Sequence, residues 1–338
     1  MRIAVIGAGS WGTAVSWMLG GKGHEVSLWS RESEIAEGIN SEHHNPVYLP
    51  DVMLPEGVVA SPDFEQVLRG AEAVVMVTPS VGARETAEHM KPHLGGDVPV
   101  VILSKGVEGG SNMLMTEVLT DVLGNKLRIA GLSGPNHAEE VSKGIPSATV
   151  VAAYDPAVGE LFQNIFMTPF FRVYTNPDVV GVELCGASKN VVAIAAGMCD
   201  GLGYGDNTKA TLMTRGLAEM TRLGRRLGAN PMTYMGLAGM GDLIVTCTSR
   251  HSRNRGFGEL IATGGTMEQF TEKTHMVVEG AVACVTVDEL ATREGLELPI
   301  TRQVRAILYE GQPVQSAEKA LLGRGATDEL HGLGLVED

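Results

Sequence analysis

The chain has 338 residues, with 40 acidic side chains against 26 lysines and arginines for a formal charge of −14, and it is 44% hydrophobic but only 5% aromatic. That apolar content excludes a disordered chain, the 43 glycines show no three-residue period and so exclude collagen, and the acidic balance argues against nonspecific binding to nucleic acid or an anionic membrane. Single cores rarely grow past about 250–300 residues, so this length suits two domains. Cys185, Cys199, Cys247 and Cys284 are scattered with no CxxC spacing, which reads as reduced thiols in a cytosol rather than a disulfide framework or zinc ribbon. The run at 3–6 is too short for a signal peptide, and the longest apolar stretch, 191–199, is far below spanning length. A cytoplasmic protein without membrane insertion is expected.

In chain order, the first half alternates short β-branched runs (3–6, 25–29, 73–77, 98–103, 127–132, 148–152 and 170–174) with helical patterns at 10–19, 33–39, 64–69, 81–90, 113–123, 136–142 and 156–166. Such alternation reads as βαβ units building a parallel sheet. The pattern changes after Asn176-Pro177: helical periodicity dominates at 179–198, 209–227, 255–262, 281–293 and 302–308. The expected architecture is an α/β, Rossmann-type doubly wound sheet over residues 1–180, which binds a dinucleotide. An all-α domain over 181–338 follows and would bind substrate and carry catalysis. The halves should pack closely with a cleft between them, and a helical second domain of this kind is expected to form a homodimer.

Gly7-Ala8-Gly9-Ser10-Trp11-Gly12 fits GxGxxG, but at this glycine content about 0.7 matches per chain arise by chance. Position gives it weight, because it follows the first strand and opens a helix. There Gly7 would make the tight turn, Gly9 would let the backbone approach a pyrophosphate, and Gly12 would let helix and strand pack closely. The helix N-terminus adds unpaired N–H groups and partial positive charge. The second strand ends Leu28-Trp29-Ser30-Arg31-Glu32. An arginine there can pair with a 2′-phosphate, while Glu32 keeps the 2′-OH alternative open. NADP(H) is therefore the expected preference, with NAD(H) tolerated.

Several polar residues stand where the pattern opposes them. Lys189 lies in GVELCGASKNVVAIAAGM, small or apolar on nearly every face, so its helix should be buried. Desolvation would lower its pKa from about 10.4, as suits a general acid or base; a structural ion pair or a snorkelling lysine fits equally well. Asp242, after Gly239-Met240-Gly241, reads either as a carboxylate facing a site or as an N-cap. Lys105 and Gly134-Pro135-Asn136-His137-Ala138 follow the C-terminal ends of predicted strands, where open α/β sheets bind ligands; an exposed loop lysine and a plain turn are the alternatives. Arg250–Arg255 is the one dense basic run, and its interleaved Ser252 and Asn254 suit a phosphate clamp better than a solvated face or a nucleic-acid contact. His43-His44 and His89/His93 read as surface histidines, so no metal is expected.

Taken together, IGAGSWGTA (6–14), YLP (48–50), SKG (104–106), GASKN (186–190), GYGDNTKA (203–210), TRGLAEM (214–220), GLAGMGDLIVTCTS (236–249), SRNR (252–255) and VVEG (277–280) resemble the bacterial-type NAD(P)+-dependent glycerol-3-phosphate dehydrogenase family over almost the whole chain. The resemblance implies reversible reduction of dihydroxyacetone phosphate to sn-glycerol 3-phosphate, supplying glycerophospholipid synthesis. Hydride would go to C2, with Lys189 as proton donor and acceptor. It further implies that Ser10, Trp11, Arg31, Ala138, Val277 and Glu279 contact the cofactor and that Lys105 and Arg253 reach both cofactor and substrate. Gly134, Asn136, Asp242, Ser252 and Asn254 would line the substrate. The family's usual Gly-Pro-Ser/Thr-Phe-Ala is here Gly-Pro-Asn136-His137-Ala, so the contact made by Asn136 departs from the pattern. Rival readings are a related β-hydroxyacid dehydrogenase acting on a carboxylate substrate and a nonenzymatic NADP-sensing regulator.

Overall fold

The computed structural model describes residues 1–274 and 277–333. The chain divides into two compact units, 1–105 with 113–179, and 106–112 with the residues from 180 onward.

The first unit is built on strands whose successive residues enter opposite apolar layers. In β1 (Arg2–Ile6), Ile3 and Val5 join one buried cluster, whereas Ala4 and Ile6 join another. In β6 (Ala73–Met76), Ala73 and Val75 take the first side, and Val74 and Met76 the second. A strand apolar on both faces is what a sheet covered by helices on both sides requires. Around these run α1 (Ser10–Gly21), β2 (Glu25–Trp29), α2 (Ser33–Glu42), a small hairpin of β3 (His44–Asn45) and β4 (Leu49–Met53), β5 (Val58–Ser61), α3 (Phe64–Leu68) and α4 (Ala83–Met90). Next come β7 (Val100–Ile102), α5 (Met115–Leu123), β8 (Ile129–Ser133), α6 (Ala138–Val141), β9 (Ser147–Ala153), α7 (Pro156–Phe166) and β10 (Phe171–Asn176).

One eight-stranded sheet results, in the order β10-β9-β8-β7-β6-β1-β2-β5. Its neighbours are parallel except β8 and β9, which pair antiparallel from Ala130↔Ala153 to Ser133↔Val150. The expected parallel sheet is found, with that one antiparallel junction. The link from β8 to β9 holds only the four-residue α6, and an antiparallel partner needs no long crossover helix. The β3–β4 hairpin and β5 were not anticipated. Each is short, and β4 (LPDVM) carries a proline and an aspartate.

The second unit contains α8 (Val179–Gly201), α9 (Asp206–Arg226), α10 (Pro231–Tyr234), a π-turn at Leu237–Gly241, α11 (Asp242–Thr248), α12 (Arg253–Ala262), α13 (Met267–Thr274), α14 (Glu279–Arg293), α15 (Pro299–Tyr309) and α16 (Val314–Leu322). By length and composition α8 could cross a membrane, a reading the uninterrupted apolar stretch alone did not suggest, but 89% of its apolar window is buried inside the protein. It is the core helix that the pattern around Lys189 calls for. None of the four cysteines is in a disulfide. Burial pushes the thiols of Cys199, Cys247 and Cys284 up to about 11, 12 and 12, which keeps them protonated.

Candidate functional site

At the head of the first unit's sheet, the three glycines differ in what surrounds them. A Cβ on Gly7 would stand 3.0 Å from the Val77 backbone, and one on Gly12 only 1.8 Å from Gly7 O. One on Gly9 would meet nothing within 4 Å. Two glycines therefore let the turn close, and the third leaves open space in front of the first N–H groups of α1, where a pyrophosphate needs it. These surroundings fit a dinucleotide. The turn is also strapped from outside. Asn45, fully buried, donates to Ala8 O (2.7 Å) and Thr13 Oγ1 (2.9 Å) and accepts from the N–H groups of Val47 and Tyr48; Ser10 Oγ donates to Tyr48 O at 2.9 Å. Trp11 and Ala138 meet around one small cluster with Ala14, Leu49 and Val52. Arg31 stands just past β2 with its side chain 81% exposed and Nη2 3.1 Å from Glu32 Oε1.

Further along the same strand edge, Lys105 Nζ donates to Gly134 O (3.2 Å) and Asn136 Oδ1 (3.4 Å). The Asn136 amide is held by Thr149 Oγ1 (3.3 Å), which itself donates to Ser133 O. A Cβ on Gly134 would fall 2.8 Å from Thr149 Cα, so only glycine fits this approach of β8 to β9. The departure at Asn136 thus supplies a carbonyl oxygen within reach of Lys105.

In the second unit, Lys189 lies mid-way along α8 with 6% of its side chain exposed, and it does not snorkel. Its Nζ donates to Asp242 Oδ1 at 2.7 Å and to Thr246 Oγ1 at 2.6 Å. Thr246 in turn donates to Asp242 O (2.6 Å), one helical turn back. The π-turn before Asp242 depends on Gly239, where a Cβ would sit 2.2 Å from Tyr234 O; such turns recur at functional sites. Asp242 is the first residue of α11, 3% exposed in its side chain and turned to Lys189, so the N-cap alternative does not hold. A buried ammonium paired with a carboxylate is costly to assemble and severe to break. Thr246 was not singled out from the sequence; its signal was the i, i+4 spacing from Asp242 on one helix.

Near that triad, Asn190 Oδ1 accepts from Asn254 Nδ2 (2.9 Å), and Asn254 Oδ1 accepts from Gly280 N–H (2.9 Å). A Cβ on Gly280 would lie 2.5 Å from Asn190 O, which explains the glycine after Glu279. Ser252 is the N-cap of α12 and accepts from Arg255 N–H. Arg255 pairs with Asp200, and Arg253 is exposed. Glu279 opens α14, and Val277 is exposed just before it. Of the histidine pairs, His43 and His44 are half-buried rather than on the surface. Among the described residues, no group of three or more His, Cys, Asp or Glu is placed to hold a metal ion.

Known proteins extend this picture along the whole chain. Residues 2–159 match the family model for the NAD-dependent glycerol-3-phosphate dehydrogenase N-terminus, and residues 178–319 match that for its C-terminus. The chain is 45% identical over 328 residues to a glycerol-3-phosphate dehydrogenase [NAD(P)+] from Clostridium perfringens, covering 97% of this chain and 99% of the relative. It is 47% identical over 337 residues to one from Pelotomaculum thermopropionicum, covering 99% and 97%. The crystal structure of glycerol-3-phosphate dehydrogenase from Coxiella burnetii superposes with a TM-score of 0.91 at 39% identity, covering 96% of this chain and 99% of that one.

Proposed function

This chain belongs to the NAD-dependent glycerol-3-phosphate dehydrogenase family, and from that premise we propose that it interconverts dihydroxyacetone phosphate and sn-glycerol 3-phosphate with NAD(P)H, using Lys189 as the proton-transfer residue. The observation that carries the assignment of Lys189 is its buried contact with Asp242 and Thr246. A lysine is rarely buried without a partner, and here a carboxylate and a hydroxyl hold Nζ in one place, as a proton-transfer group requires.

The cofactor would be held by Gly7, Gly9, Ser10, Trp11 and Gly12 at the turn, by Arg31 at the adenosine end, and by Lys105, Ala138, Arg253, Val277 and Glu279. When bound, its reduced nicotinamide supplies a hydride to the substrate's C2. Lys189 donates a proton to the C2 oxygen as negative charge gathers there, and takes it back in the reverse direction. Asp242 accepts from Nζ and fixes its direction, while Thr246 holds the same nitrogen from one turn away. Lys105 places positive charge near the carbonyl oxygen. Gly134, Asn136, Ser252 and Asn254 line the substrate, and Arg253 faces its phosphate. The exposed guanidinium of Arg31 supports a preference for NADP(H) with NAD(H) accepted.

Residues 1–180 would then be the dinucleotide-binding domain and 181–338 the substrate-binding domain of a cytoplasmic homodimer. Its product would feed glycerophospholipid synthesis. The deciding assay is oxidation of NADPH with dihydroxyacetone phosphate, repeated with NADH and with 2-keto acids in place of the phosphorylated ketone. Turnover with keto acids and none with dihydroxyacetone phosphate would move the chain to the β-hydroxyacid dehydrogenases. Inertness towards every ketone would revive a cofactor-sensing role.

A further inference from the structure

Ser252, Asn254 and Arg255 all hold the first turn of α12 in place, and Arg255 does so through a carboxylate at the far end of the helix that carries Lys189. Arg255 Nη1 donates to Asp200 Oδ2 at 2.5 Å, its Nε donates to Ser249 O at 3.1 Å, and Nη1 lies 3.4 Å from Glu259 Oε2. The other oxygen of Asp200 takes Lys209 Nζ at 2.8 Å. One carboxylate thus joins α8, α9 and α12. The three side chains are mostly buried, 18% exposed for Asp200, 19% for Arg255 and 22% for Lys209.

This placement is costly without its cations. Asp200 sits in the last turn of α8, where the helix dipole opposes negative charge. Burial alone would raise its pKa, but the hydrogen bonds from Lys209 and Arg255 outweigh burial and hold the carboxyl below its ordinary value. The pair therefore stays charged at neutral pH.

At its glycines, the contact it spans is made by backbone. A Cβ on Gly197 would lie 1.8 Å from Arg255 O, one on Gly258 2.0 Å from Ile194 O, and one on Gly201 2.7 Å from Glu259 O. Here α12 rests on α8 backbone against backbone. Interdigitating side chains, which normally set the register of two helices, are missing from these positions. Polar ties at two levels take their place: Asn254 to Asn190, next to Lys189, and Arg255 to Asp200, about 15 Å further along α8. The exposed Arg253 lies in the turn that both ties immobilise.

We propose that Asp200, steadied by Lys209, is a positioning residue that acts through Arg255 to fix the Ser249–Ser252 turn and Arg253, and so sets where the substrate's phosphate is held relative to Lys189. The proposal rests on Arg253 being the phosphate residue. It makes the binding of the phosphate, rather than of the ketone itself, depend on a residue that touches no substrate.

The test compares kcat/KM for dihydroxyacetone phosphate with that for unphosphorylated dihydroxyacetone, using NADPH, in the wild type, Asp200→Asn, Arg255→Lys, Lys209→Gln and Arg253→Ala. Misplacing the turn should cost Asp200→Asn about 10- to 100-fold on the phosphorylated substrate, chiefly through KM, with dihydroxyacetone changed by no more than about twofold. Arg255→Lys keeps a charge for Asp200 but loses the tie to Ser249 and should fall between. Lys209→Gln should show a smaller loss in the same direction. Equal losses on both ketones, or unchanged KM for dihydroxyacetone phosphate, overturn the proposal by reducing the pair to a structural one. Should Asp200→Asn not fold, an unchanged ratio in both Arg255→Lys and Lys209→Gln overturns it equally. If Arg253→Ala leaves the ratio intact, the underlying phosphate assignment fails instead, whatever Asp200 does.

Discussion

At Gly7–Gly12 the chain leaves out side chains, at Gly7 and Gly12 so that the turn can close and at Gly9 with open space in front, whereas around Lys189 it inserts polar side chains into an otherwise apolar helix. The two regions should therefore respond to opposite kinds of change. The glycine turn is sensitive to atoms added, and the lysine triad to atoms removed. In the first unit the positive end of a helix and open space at Gly9 prepare the site. In the second, Asp242 opens α11 directly after a π-turn, Thr246 follows one helical turn later, and both converge on one ammonium.

The largest expected effect is on the triad. Lys189→Ala should lower kcat by roughly 10³-fold or more while NADPH still binds, as fluorescence titration would report. Wild-type turnover in that variant would remove Lys189 from the reaction. Next comes the contrast within the turn. Gly12→Ala drives a Cβ against Gly7 O and should destabilise the fold by about 3 kcal/mol or more. Gly9→Ala meets no protein atom and has extended backbone angles that any residue accepts, so its stability should change by no more than about 0.5 kcal/mol. Its KM for NADPH should nevertheless rise about tenfold, because a methyl would occupy the ligand's space. Equal melting temperatures for both variants would break the distinction between packing and ligand glycines.

A third test uses another buried carboxylate of the second unit, one that has backbone N–H groups for partners instead of a lysine. Glu219 accepts from Ile300 N at 2.7 Å and Thr301 N at 3.3 Å, at the start of α15. Burial pushes its pKa up to about 7 from 4.5, against the pull of those N–H groups. The native state then keeps a proton that the unfolded chain has released, so this contribution is present below pH 4.5 and is lost as pH rises through about 7. Relative to Glu219→Gln, the wild type should lose on the order of 2 kcal/mol between pH 5 and pH 8, measured by urea unfolding. A pH-independent difference would show that the N–H groups keep Glu219 ionised. The smallest effect belongs to the exposed edge of the first unit. Arg31→Ala should lower the NADPH-to-NADH ratio of kcat/KM by about tenfold, and an unchanged ratio would take cofactor choice away from this arginine.

Much of the first unit was readable in advance because its strands are long enough to show a period and its glycines sit between a strand and a helix. β1 and β2 fall where the pattern puts them, as does α7. The β3–β4 hairpin was not readable, although Asn45 and Tyr48 within and beside it brace the glycine turn. β3 has only two residues, and β4 carries a proline and an aspartate, so neither presents an apolar run to read. In the second unit α8 was legible as a buried helix from its composition, while α11, α13 and α16 were not. The polar run at Ser252–Arg255 was only partly legible. Its density of polar groups was plain, but Arg255 belongs to Asp200 and the hydroxyl of Ser252 to a helix cap.

By itself the sequence determined the two kinds of unit, the turn that opens α1, and the anomaly of a lysine in an apolar helix. These are local properties, set by the spacing of apolar residues and by which residues tolerate tight turns. Tertiary structure made the contact between the lysine and Asp242, 53 residues away, and it alone decided that Thr246 completes that contact and that a sheet of parallel strands turns antiparallel at β9. Those choices depend on which surfaces meet when helices and strands pack, and packing joins residues whose separation along the chain carries no trace of their contact.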